Sequence, residues 1–118
     1  MILKISKKQV RAAKEGELKH LIAAKKDYKT GVVAHLTTGL GKNYNKVSEL
    51  VCVSTQEILI EPKSTLLDSL IEIDGVILTY QEVKEFSRNC GFKNEEEFFK
   101  YYSSKKDYTL INFTDFKY

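Results

Sequence analysis

The sequence predicts an α+β domain: a small, mostly antiparallel sheet or barrel with helices packed outside it. Three observations predict it. The 118 residues suffice for one core and not for two, so residues 1–118 are expected to form a single domain. Stretches with a period of two residues alternate with helical stretches in the order β, α, β, β, β, α, α, β. Two segments carry the residue pattern of a capping box, in which a Ser or Thr opens a helix and a Glu or Gln stands three residues later.

The elements follow in order. Ile2 to Ile5 alternates around Lys4 and reads as a short strand. Ser6-Lys7-Lys8-Gln9 is the first capping box, with Ile5 and Val10 placed as its hydrophobic staple. Gly16 is a plausible stop. Glu17 to Lys26 reads as a second helical stretch, because Leu18, Leu21 and Ile22 share a face at helical spacing; alternatively one helix runs through Gly16. Lys29-Thr30-Gly31 is a turn before the strand Val32 to Leu36. A polar loop with two glycines spans Thr37 to Asn45. Val47 to Val53 and Glu57 to Glu61 are strands, and Pro62, the only proline, ends the second. Lys63 to Val76 is ambiguous apart from Leu70 to Ile73, a strand before the turn at Asp74-Gly75. Thr79-Tyr80-Gln81-Glu82 is the second capping box; its helix runs through Val83 and Phe86 and stops near Cys90-Gly91. Asn94 caps a further helix with Glu95, Glu96 and Glu97 in its first turn, where carboxylates meet the positive end of the dipole. Tyr108 to Phe116 closes the chain as a strand.

Composition excludes several classes. At 42% hydrophobic and 30% charged, with thirteen Phe and Tyr, the chain has a core and is not a disordered polymer. No apolar run approaches the ~18 residues of a membrane span, and the N-terminus lacks a secretory pattern, so a cytoplasmic location is expected. Cys52 and Cys90 form neither a disulfide framework nor a metal knuckle. Cys52 is expected as inert core and Cys90 as partly exposed. The two histidines share no ligand spacing, so no metal and no cofactor are expected.

Charge is unevenly distributed. Residues 1–46 hold eleven Lys or Arg and three acids, a formal +8; the remainder holds eight and thirteen, a formal −5. A basic front half can supply phosphate contacts, or it can neutralise the acidic half where the two pack. Ten of its eleven cations are lysines, which favours point-charge attraction over bidentate reading of bases.

Gly91-Phe92-Lys93-Asn94-Glu95-Glu96-Glu97-Phe98-Phe99 resembles the GF-x-s-x-eeF segment of the ASCH domain, a relative of the RNA-binding PUA domain. Leu110 to Phe116 looks like that family's last strand, and Tyr28 to His35 is similar to its turn-glycine and strand-histidine tract. The resemblance implies a small PUA-like β-barrel with flanking helices and a basic cleft for nucleic acid or a nucleotide. Some small members deacylate modified cytidine using Lys, Thr and Glu from that cleft. Here the family motif G-x-K-x-x-E-x-R falls on Gly16 to Ala23, where Lys19 is one place late and Leu21 and Ala23 replace the acid and the arginine. No catalytic role is therefore carried onto any residue.

The expected function is a nucleic-acid-binding module of low sequence specificity that prefers RNA or single strands. Lys19, Lys25, Lys26 and Lys29 would neutralise phosphates, with His35 on the cleft floor. Lys42 would present to a phosphate and Tyr44 would stack on a base. His20 is expected at the surface of a helix. A first alternative is a small amidohydrolase acting on N4-acylated cytidine, with a desolvated Lys19 as base or nucleophile. A second is a protein-binding factor of phage or mobile-element type, using the acidic half and exposed tyrosines.

Overall fold

In the computed structural model, which describes residues 1–39 and 45–118, alternation and capping are written into eight strands and three α-helices. The strands are β1 (Ile2–Lys4), β2 (His20–Ala24), β3 (Val33–Thr38), β4 (Asn45–Val51), β5 (Ser54–Glu61), β6 (Leu70–Ile73), β7 (Val76–Ile77) and β8 (Lys106–Asn112). The helices are α1 (Val10–Lys14), entered through a 3-10 turn at Lys7–Gln9, α2 (Tyr80–Asn89) and α3 (Glu95–Tyr101). Among the described residues no helix is long and apolar enough to cross a membrane.

The strands form two sheets, one of order β1-β3-β4 and one of order β2-β8-β5-β6-β7. Every described pairing is antiparallel except β1 with β3, which is parallel. The expected closed PUA-like barrel is therefore corrected: the fold is α+β with two open sheets. Closure requires a continuous ladder without edges. Here the chain changes sheets at Cys52-Val53 instead. Val51 still pairs with Val33 in the first sheet, and Ser54 already pairs with Asn112 in the second. The Cys52 N–H still donates to the Val32 carbonyl beside the first sheet, at 3.0 Å, while the Val53 N–H already donates to the Asn112 carbonyl of the second, at 2.8 Å.

The β2–β8 pair of the five-stranded sheet is a seam covered on both faces. On one face of that seam Ile22 and Leu110 join Ile58, Ile60, Ile71 and Ile73 under α2 and α3, around the fully buried Phe86 and Phe98. On the other face Leu21 and Ile111 pack against Leu3, Ala34 and Leu36 of the three-stranded sheet, with Ala13 of α1.

That double coverage corrects the helix expected over Glu17 to Lys26. Gly16 ends α1 in the left-handed region at φ +72°, and β2 begins four residues later. A strand buried on both faces loses its alternation and reads as an apolar run. His20, Leu21 and Ile22 are consecutive and all buried, so a helical i, i+3, i+4 match arises by coincidence. The closing strand is likewise shorter than expected. It ends at Asn112, and residues 113–118 bend back across the end of the five-stranded sheet.

The capping predictions divide. Thr79 Oγ1 accepts from Glu82 N–H at 3.2 Å while Glu82 Oε1 accepts from Thr79 N–H at 2.9 Å, completing that box. Asn94 Oδ1 accepts from Glu97 N–H at 2.9 Å and opens α3. At Ser6 only half the box forms: Gln9 Oε1 accepts from Ser6 N–H at 2.9 Å, and the Ser6 hydroxyl has no partner among the described residues. Cys52 is buried as expected, whereas Cys90 is also buried rather than partly exposed, because its side chain packs into the core with Phe86, Phe92, Phe98 and Tyr102.

Candidate functional site

The chain's own backbone builds a groove between α1 and the end of α2. Gln9 is 1% exposed; having satisfied Ser6 with its oxygen, it donates Nε2–H to the Cys90 carbonyl at 2.7 Å. Ten residues further on, Lys19 N–H donates to the Asn89 carbonyl at 2.8 Å. Gly91, at φ +90°, turns the chain out of α2 against Gln9 and Leu18. These contacts hold the exposed side of α1 opposite Arg88 and Lys93.

The result is a groove of about 610 Å³ lined by Lys8, Arg11, Arg88 and Lys93, with Glu17 and Glu97. Four cations face two carboxylates, a formal +2. Both arginines of the chain, 77 positions apart, converge here. The cations of the local ion pairs are exposed: Lys8 meets the half-buried Glu97 at 3.5 Å, and Arg11 meets Glu15, outside the groove lining, at 3.2 Å. Such pairs contribute at most about 1 kcal/mol, so their cations remain free to exchange a carboxylate for a phosphate.

Arg88 also borders a second, smaller pocket of about 290 Å³, shared with Lys19, Glu85, Asn89 and Phe116. Beneath Phe116 lies a polar cluster in an otherwise apolar wall. His20 is fully buried, correcting its expected surface position, because β2 places it inward opposite Asn112. The Asn112 amide donates Nδ2–H to Ser54 Oγ at 3.0 Å and Gln56 Oε1 at 3.1 Å. Its Oδ1 is thereby left as acceptor, and His20 Nδ1, at 2.7 Å, supplies the proton. Nε2 is then the unprotonated nitrogen, and it has no partner among the described residues. Phe86, Phe116 and Tyr118 surround the ring at centroid distances of 5.7, 5.7 and 5.3 Å. Burial, with a contribution from the nearby Lys19 charge, outweighs the Asn112 hydrogen bond and lowers the His20 pKa to about 4. The Gln56 side chain also holds Tyr118: it accepts from Tyr118 N–H at 3.1 Å and donates to the Tyr118 carbonyl.

The residues singled out from the sequence fall in separate places. Lys19 lies just before β2, while Lys25 and Lys26 lie just beyond its far end, about 20 Å away at strand rise. Lys25 and Lys26 do meet, in a pocket of about 400 Å³, but with Asp27, Glu57 and Asp74 that pocket is formally −1. Lys29 is exposed in the loop before β3. His35 belongs to the other sheet, where it pairs across strands with Glu49 at 3.3 Å. Lys42 and Tyr44 lie outside the described residues. Arg88, Lys93 and Phe116 sit in the net-acidic half, where charge along the chain points away from a basic site; the scarcity of arginine, at two residues, is the one signal in the sequence. Among the described residues no three His, Cys, Asp or Glu side chains are placed to hold a metal ion.

Comparison with family models, curated proteins and solved structures finds no match for this chain. The functional reading rests on the geometry above.

Proposed function

We propose that this protein is a nucleic-acid-binding module that grips the phosphate backbone in the groove between α1 and the end of α2. The observation that carries the reading is the convergence of Lys8, Arg11, Arg88 and Lys93 on one groove from two distant parts of the chain. Phosphate contacts dominate nucleic-acid affinity, and guanidinium groups bind phosphate oxygens in a bidentate fork. The Lys25–Lys26 pocket is a poorer candidate, because its carboxylates outnumber its cations. The hydrolase alternative calls for a desolvated Lys19, and Lys19 is exposed.

The test is the salt dependence of binding to a short labelled RNA, measured by fluorescence anisotropy. Full engagement of the four groove cations gives a slope of log K against log salt of about −2.8 for a single strand, at ~0.7 per phosphate. The double variant Arg11→Glu/Arg88→Glu should bind at least tenfold more weakly and with a shallower slope, whereas Lys25→Glu/Lys26→Glu should change both less. Equal affinity and slope in the wild type and the Arg11/Arg88 variant, or no binding by the wild type at low salt, would overturn the proposal.

A further inference from the structure

We infer that Phe116 is a stacking platform for one unpaired base, with Arg88 and Lys19 beside the adjoining phosphate; this rests on the nucleic-acid reading above. Phe116 is 45% exposed although the core next to it holds other aromatics fully buried. Its neighbours hold it in place from within. His20 lies 5.7 Å away, and Tyr118 meets it edge-on at 5.0 Å. Tyr118 is in turn clipped by Gln56. On the outside, Lys19 Nζ lies over the ring at 5.7 Å from the centroid. The cation lies on the solvent side of the ring, and the exposed Lys19 side chain is free to turn from the ring toward an adjoining phosphate.

The pocket around this ring has the dimensions and chemistry of a single nucleotide. At about 290 Å³ it lies just below the range of roughly 300–1,000 Å³ typical of larger ligands. It offers one aromatic face, the carboxylate of Glu85 and the amide of Asn89 for a base edge, and two cations for a phosphate. Because Arg88 lines both this pocket and the basic groove, a strand can continue from one into the other. Bases inside a duplex are already stacked and paired, so their faces are not offered to Phe116. The platform therefore selects single strands, and it does so without adding charge.

That last property separates stacking from phosphate binding experimentally. A short labelled single-stranded RNA and its blunt duplex are titrated with the wild type, Phe116→Leu and Phe116→Trp, each at several salt concentrations. Leu keeps an apolar cover over His20 but has no π face; Trp keeps the face. Phe116→Leu should weaken single-strand binding about tenfold, leave the salt slope unchanged and leave duplex binding unaltered, while Phe116→Trp retains wild-type affinity. Loss in both variants, loss in neither, or an equal loss on single strand and duplex would overturn the platform. If the Arg11/Arg88 variant loses binding while Phe116→Leu does not, the platform alone fails. If the Arg11/Arg88 variant binds as the wild type does, the underlying reading fails instead.

Discussion

Acidification should destabilise this protein through one histidine, by an amount that the structure permits to be worked out. In the folded state His20 is neutral, with Nδ1–H committed to Asn112 and Nε2 facing rings rather than water. Its pKa is lowered to about 4, from 6.5 in an unfolded chain. Between those values the unfolded chain binds the proton and the folded chain does not, so stability rises with pH across that window. It is complete above about pH 6.5 and is lost as pH falls toward 4. At 1.36 kcal/mol per unit, the loss from this group amounts to about 3 kcal/mol. Beside the ring lie the Lys19 ammonium, already counted in that shift, and the Tyr118 phenol, pushed up to about 12 mainly by its own burial. The phenol does not titrate in this range. Carboxylates elsewhere do, so the assay is a difference: urea unfolding from pH 7 to pH 4 of the wild type and of His20→Asn, whose amide can keep the bond to Asn112. The wild type should lose about 3 kcal/mol more than the variant across the window. Long-range nitrogen NMR at pH 7 should show Nδ1 protonated and Nε2 bare. Parallel pH profiles for the two proteins, or a proton on Nε2, would refute the reasoning.

Two further predictions concern the joint between α1 and α2. Gly91→Ala forces a side chain into φ +90° with its Cβ 2.9 Å from Leu18 Cδ1 and 3.2 Å from Gln9 Cγ. It should cost about 2 kcal/mol in urea unfolding, whereas Gly31→Ala, equally left-handed but with open space around it, should cost less. Gln9→Ala strips partners from Ser6 N–H and the Cys90 carbonyl. It should cost about 2 kcal/mol and weaken RNA binding even though it removes no charge.

How much of this was legible in the sequence depends on which residues decide each feature. Local signals survived: Thr79 with Glu82, Asn94 before three glutamates, and the Asp74-Gly75 turn are settled within four residues, and the structure keeps them. Alternation survived where one face is wet, as in β5, with Gln56, Ile58 and Ile60 inward and Thr55, Glu57 and Leu59 less so. It failed at β2, because the three-stranded sheet covers the face that would otherwise be polar; that coverage comes from Leu3, Ala34 and Leu36, outside the strand's own window. The PUA-like barrel failed for a related reason. Whether antiparallel strands close or stack is decided at Cys52-Val53, where nothing in the residues announces a change of sheet. The candidate groove is the least legible feature, because charge runs are read along the chain while the groove collects Arg11 and Arg88 across it.

The position of Lys19 shows how those long-range contacts make a site from ordinary residues. Its N–H is bonded to the Asn89 carbonyl, and its carbonyl accepts from Phe113 N–H at 2.9 Å. One backbone unit thus ties the end of α2 to the start of the segment that carries Phe116. The next residue, His20, locks the same segment from below through Asn112 and the Phe116 and Tyr118 rings. None of these ties uses the Lys19 side chain except the cation held over Phe116. Removing the ammonium therefore subtracts one charge and leaves the scaffold standing, whereas removing the imidazole leaves the charge and loosens the platform. The two residues are adjacent in sequence, yet the proposed role of one is toward a ligand while the other holds the fold.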